Sequence, residues 1–208
     1  MKKIAIISFS ILMIGLFNNI STIAEFNNNP EIEDTIGDAF GYLDIHSVWF
    51  YENENNPDIL YVVMKINEPV YWHFQQTFAV FWRYNGDLYS CGLHLGFGLG
   101  EQWEKYSAGK YPPNRDYENY HYNLTGSYSI SDGTITMELP KELIGNPQKD
   151  DVLTETWSNA FRRVGIIGRI GLTRHIIDNL IFNIFGNSMW DYAPNKNEGF
   201  GRDYIIKY

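Results

Sequence analysis

From Leu43 onward the chain alternates apolar and polar residues in short runs, each closed by turn-forming residues: "LDIHSVWFY", "DILYVVMKI", "TFAVFWRY" and "TITMEL" all repeat with a period of two. In an extended backbone successive side chains point to opposite faces, so this period lays one apolar row against a core. The pattern predicts strands over residues 43–51, 58–66, 77–84, 88–95, 120–130, 134–139, 152–160 and 203–207. Asn85-Gly86-Asp87 and Ser131-Asp132-Gly133 separate pairs of these runs and read as hairpin turns in which glycine supplies positive φ. In the third run Phe78, Val80, Trp82 and Tyr84 share one face, while Thr77, Ala79, Phe81 and Arg83 share the other. Both faces are partly apolar, which predicts a central strand rather than an edge.

One stretch departs from this period. In "VGIIGRIGLTRHIIDNLIFNIFGN", Leu172, Ile176, Leu180 and Ile184, joined by Ile177, Ile181 and Phe185, recur at helical spacing, with Thr173, Asp178 and Asn183 on the opposite side. The spacing predicts an amphipathic helix near 172–186, inside a helical insertion at about 161–187. Recurring charges exclude a transmembrane helix. Two placements fit the pattern: packing over one end of a β-sheet core, or lying in a membrane interface with Arg162, Arg163, Arg169 and Arg174 nearby.

The N-terminus reads MKKIAIISFSILMIGLFNNISTIA: two lysines, an apolar run from Ile4 to Phe17, then small and polar residues. This is the pattern of a secretory signal peptide, residues 1–24, cut after Ala24. An uncleaved anchor is the alternative, although the apolar run is shorter than the roughly 20 residues that span a bilayer. Residues 25–208 then form one exported domain, secreted or held at the cell surface. The formal net charge of −9 is the wrong sign for tracking phosphate backbones, which excludes nucleic acid as a partner. Cys91 is the only cysteine, so an exported chain has no internal disulfide, and stability rests on the core, with a bound ion as an aid. Asn123-Leu124-Thr125 is a sequon.

The order of parts also carries a resemblance. Asp34 and Asp38 precede "YLDIHSVWFY"; "DILYVVMKI" follows; "TITMELPKELIG" leads to "DDVLTETW"; and "WDYAPN" leads to "GRDYIIKY". Over most of residues 33–208 this resembles the secreted β-sandwich superfamily that includes DOMON domains and the family 9 carbohydrate-binding modules. The resemblance implies a mainly β fold, an antiparallel, jelly-roll-like β-sandwich, here with the amphipathic helix inserted before the last strand. It also implies binding rather than catalysis: sugars in some members, haem in others, often with structural calcium.

Two groups of residues are candidate sites. Calcium takes six to eight oxygens, and if the first and last strands lie close together, Asp34 and Asp38 can meet Asp191 or Asp203. The alternative is that Asp34 and Asp38 make Asx-type turns and Asp44 starts a strand. In "EQWEKYSAGKYPPNRDYENYHY", Trp103, Tyr106 and Tyr111 precede Pro112-Pro113 and are expected in a loop, where aromatic faces with polar neighbours suit stacking on sugar rings.

Catalytic chemistry is not legible. His46, His73, His94, His121 and His175 are scattered without metal-ligand spacing, and there is no Gly-x-Ser-x-Gly elbow. Glu101 with Glu104 or Asp116 is an acid and base pair of a kind that arises by chance among 25 acidic residues. Haem ligation by Met64 with His73 or His94 is outweighed by the commoner core methionine and hydrogen-bonded histidines. The sequence reads as an exported, non-catalytic binding module for carbohydrate or another cell-envelope ligand, with a structural calcium. Its rival is a membrane-peripheral structural protein that docks through the helix near 172–186.

Overall fold

The computed structural model describes residues 29–39, 42–69, 75–98, 101–111, 122–163, 190–195 and 198–208. The expected signal peptide and the expected helix near 172–186 lie outside the described residues, as do His73, His121 and His175. The chain divides into two compact units, Met1–Pro30 and Glu31–Tyr208, and the second is mainly β.

Its strands are β1 (Ile32–Glu33), β2 (Ile45–Asn53), β3 (Asn56–Ile66), β4 (Gln75–Tyr84), β5 (Asp87–Gly98), β6 (Glu101–Tyr111), β7 (Tyr122–Asn123), β8 (Thr125–Ser129), β9 (Thr134–Pro140), β10 (Val152–Arg163), β11 (Trp190–Ala193) and β12 (Tyr204–Ile205). They form two antiparallel sheets, ordered β1-β2-β3-β9-β8 and β11-β10-β4-β5-β6-β7, with β12 paired to the start of β10. A short 3-10 turn, Lys141–Ile144, follows Pro140, which cannot donate onward in the ladder.

The period-two pattern sorts the faces. In the first sheet Phe50, Val62 and Met137 make one cross-strand row, and Val48, Met64 and Ile135 make the next. All six are buried, while Tyr61, Lys65, Thr136 and Glu138 alternate with them and are only partly buried. A register shift in β2 between Ile45 and Ser47 lets Ile45 and Val48, three residues apart, both face inward. The second sheet contributes Phe78, Val80 and Trp82 from β4 and Cys91, Leu93 and Leu95 from β5 to the same core cluster. Phe50 meets Trp82 edge-to-face across the two sheets, with ring centroids 5.7 Å apart, a favoured aromatic geometry. The two sheets thus share one core, which makes the fold sandwich-like.

Both expected hairpins are present. Tyr84 pairs with Asp87, leaving Asn85 (φ 51°) and Gly86 (φ 83°) as a two-residue turn of the primed type that matches strand twist. Ser129 pairs with Thr134, and Gly133 (φ 72°) donates its N–H to Ser129 O at 2.8 Å. β4 lies between β10 and β5, a central position, as its two-sided apolarity predicts.

Three expectations change. Residues 161–163 belong to β10, where Phe161 pairs with Thr77, so the ladder continues past the boundary expected for a helical insertion. The run 120–130 is two strands in different sheets, with Leu124 between them donating its N–H to Tyr106 O at 3.0 Å. Residues 101–111, read as a loop, form β6, paired along its whole length with β5.

Candidate functional site

The acidic residues converge at one place. Asp34 follows β1 and donates its N–H to His46 O at 3.1 Å, which holds it beside β2. Asp38 follows Gly37, whose φ of 92° turns the chain back. Asp191 lies in β11 opposite the fully buried Ala160 and so faces the core side at the edge of the second sheet, 4% exposed. Carboxylate oxygens of Asp34, Asp38 and Asp191 all lie within 4.8 Å of one another.

Their hydrogen bonds are unequal. Asp191 Oδ2 accepts the Ile45 N–H at 2.6 Å and Oδ1 accepts the Tyr192 N–H at 2.8 Å. Beside it, fully buried Asp44 accepts the Gly37 N–H at 2.8 Å and the Asn67 side-chain amide at 2.9 Å through Oδ2, while its Oδ1 is out of solvent and without a donor. Both oxygens of Asp34 are also out of solvent with no hydrogen bond of good geometry. Burial, then the charge of Asp191, pushes the Asp34 carboxyl up to about 7, only partly offset by the Thr35 amide. Burial likewise pushes Asp191 up to about 6, with Asp38 and Asp44 adding to the rise and the Ile45 and Tyr192 amides opposing it.

Mutually repelling carboxylates with spare lone pairs, here buried Asp191, partly buried Asp34 and exposed Asp38, are what a hard cation satisfies. The donors are all oxygen, which suits calcium or magnesium and not the nitrogen and sulfur preference of zinc. Asp203, expected in this set, is exposed beside β12 and is not among the converging carboxylates. Asp44, read from sequence as the start of a strand, is instead the buried acceptor that holds the Gly37 turn. No local motif signals that role, because its partners lie seven and 23 residues away.

The aromatic candidates separate. Trp103, Tyr106 and Tyr111 lie in a ladder, not a loop: Pro112 ends β6 but does not prevent pairing before it. Tyr106 points into the core, 8% exposed, with its ring over Gly126 of the opposite sheet. Trp103 and Tyr111 face outward, eight residues apart, or roughly 26 Å along a strand. The Trp103 indole lies across Gly96, where a Cβ would come within 2.2 Å of the ring, and is 39% exposed. Tyr111 lies 6.4 Å from Phe81, which stacks on Trp157 at 4.9 Å and 9°; Trp157 in turn lies 5.8 Å from Phe200. Sequence reading did not select Phe81, Trp157 or Phe200, which are brought together only by strand pairing and by the C-terminal segment.

Among the described residues, Met64 and His94 do not come together. Met64 faces the shared core, whereas His94 lies on the outer face of the second sheet, its ring nitrogens 3.2 Å from Thr77 Oγ1 and 3.0 Å from Ser107 Oγ. The two do not meet at one iron. Glu104 accepts the Tyr106 hydroxyl at 3.0 Å; the side chains of Glu101 and Asp116 are outside the described residues. No protein-family model, curated protein or solved structure matches this chain.

Proposed function

We propose that this chain is an exported, non-catalytic binding module of jelly-roll-like architecture, stabilised by a divalent cation, calcium by its all-oxygen donors, and presenting aromatic side chains to a carbohydrate or similar envelope ligand. The observation that carries the cation is Asp34, whose two buried oxygens have no well-formed hydrogen bond beside the Asp38 and Asp191 carboxylates. The cation neutralises carboxylates that otherwise repel, and it joins the chain after β1 to β11 of the second sheet. On the ligand side, exposed Trp103 on its glycine platform offers a flat apolar face, as sugar stacking requires. The membrane-docking alternative rests on the helix near 172–186, which lies outside the described residues.

The test is thermal unfolding of the purified protein in EDTA, then with added calcium or magnesium. A ligand that binds only the native state stabilises it by about 2.7 kcal/mol at a hundredfold excess over its dissociation constant. A calcium-dependent rise in Tm that is lost in Asp34→Asn supports the reading; equal Tm values in EDTA and millimolar calcium reject it.

A further inference from the structure

The outer face of the second sheet carries two aromatic features with a low, polar floor between them. At one end Trp103 lies flat on Gly96. At the other, Phe81 and Trp157 are stacked, and Phe200, 55% exposed, leans on Trp157. This second end depends on a bulge in β10: Thr154 pairs with Arg83 and Trp157 with Phe81, so one extra residue is accommodated between them, and Glu155 takes φ 48°. A bulge re-aims side chains, and a non-glycine residue in the left-handed region costs of order 1 kcal/mol or more. Here Glu155 reaches Arg83 Nε at 2.6 Å, a pair left partly exposed beside the rings. Phe200 is carried between Gly199, at φ 89°, and Gly201, where a Cβ would lie 2.5 Å from Glu31 O. The Gly201 N–H donates to Thr156 O at 2.8 Å, which ties this segment to the bulge.

Between the two ends the outward positions of the central strands are small or polar: Thr77 and Ala79 on β4, Gly92 and His94 on β5, Lys105 and Ser107 on β6. β4 and β5 each have neighbours on both sides, so a peptide cannot add to these central strands. The net charge of −9 and an Arg83 already neutralised by Glu155 disfavour a polyanion. What fits is a ligand with apolar ring faces and a rim of hydroxyls, repeated along its length.

We propose that the outer face of the second sheet is an extended binding face for an uncharged oligosaccharide chain, gripped at one end by Trp103 and at the other by the Phe81–Trp157–Phe200 group, with Arg83 and Glu155 hydrogen-bonding to hydroxyls. This rests on the binding-module reading, but on different residues from the cation site. The face reads chain length, because Trp103 pairs with Gly96 and Phe81 with Ser90, six residues or roughly 20 Å apart along β5, and contacts so spaced are made together only by a ligand of several units.

The test uses the full purified chain with three soluble uncharged polysaccharides, a β-1,3-glucan, a xyloglucan and a galactomannan, and with the hexasaccharide and monosaccharide of each, measured by titration calorimetry. The expected result is tenfold or tighter binding of a hexasaccharide over its monosaccharide. Trp103→Ala and Phe200→Ala each weaken the hexasaccharide at least fivefold, with unchanged Tm; Phe200 is exposed, so its removal leaves the fold intact even if Trp157→Ala does not. Affinity independent of length, loss from only one end, or no binding to any of the three series overturns the proposal. Calcium stabilisation without glycan binding rejects this face alone; two-ended glycan binding without calcium stabilisation rejects the cation alone.

Discussion

The Asp191 Oδ2 atom accepts the backbone N–H of Ile45 at 2.6 Å across 146 residues of sequence. The bond joins the edge of the second sheet to the start of β2 in the first, at the point where the carboxylates gather. Asp191 is therefore a clamp between sheets and, in the proposed cation site, also a ligand, and the two roles separate by substitution. Asp191→Ala leaves the Ile45 N–H buried without an acceptor and is expected to lower stability by about 1–3 kcal/mol in EDTA. Asp191→Asn keeps an acceptor oxygen and is expected to lose calcium response while retaining most of the metal-free stability. Urea unfolding of both variants, with and without calcium, distinguishes them.

Asp34 behaves differently, because its oxygens have no well-formed hydrogen bond, only the opposing pull of the Thr35 amide. In EDTA above pH 7 its charge repels Asp191 and Asp38 more than the Thr35 amide offsets, so Asp34→Asn is expected to raise Tm above that of the parent protein while abolishing the rise with calcium. A variant less stable than the parent in EDTA contradicts this assignment.

The same carboxylates set a pH dependence. Asp34 is held up at about 7 and Asp191 at about 6, against an unfolded value near 3.9. The native state therefore keeps protons that the unfolded chain has already released. Stability of the metal-free protein is expected to fall as pH rises from about 4 to about 7 and to level off beyond. Stabilisation by calcium, which competes with those protons, grows over the same interval. Denaturation midpoints at pH 4.5, 6 and 7.5 with and without calcium check both slopes.

Packing between the sheets gives a prediction independent of any ligand. Gly126 faces the Tyr106 ring so closely that a Cβ would come within 2.4 Å of it and 2.7 Å of Thr136 O. Gly126→Ala is expected to cost about 1–3 kcal/mol through overpacking. Phe50→Ala, which empties the contact with Trp82, is expected to cost about 3–5 kcal/mol. Chemical denaturation in EDTA measures both without interference from the cation.

The buried pair of Lys141 and Glu52 ties the 3-10 turn to β2, and Lys141 Nζ also donates to Tyr208 O at 2.5 Å. Lys141→Met leaves the Glu52 carboxylate buried without its cation and is expected to lower stability by about 3–5 kcal/mol. Replacing both members, Lys141→Met with Glu52→Leu, is expected to recover part of that loss, as a double-mutant cycle would record.

The strands were legible wherever one face is apolar and the other polar, because pleat alternation is a local property of the chain. Leu60, Val62, Met64 and Ile66, and Ile135, Met137 and Leu139, announce their burial by spacing alone, and the two glycine turns announce their hairpins. β6 was not legible because its apolar residues fall on both faces: Tyr106 turns inward while Trp103 and Tyr111 turn outward. The two-residue β1 and the short β11 are too brief to show any period.

For the sites, the sequence by itself determined the acidic and aromatic supply: aspartates near both ends of the chain, and a middle dense in Trp and Tyr. Which of them meet was decided by the tertiary structure. β11 pairs with β10, and this brings Asp191 to Asp34 and Asp38 while leaving Asp203 exposed. The bulge at Glu155 and the Gly199–Gly201 segment bring Phe200 to Trp157. Such encounters depend on strand order and register over tens of residues for Phe200 and more than a hundred for Asp191, and a period of two carries information only about a residue's immediate neighbours.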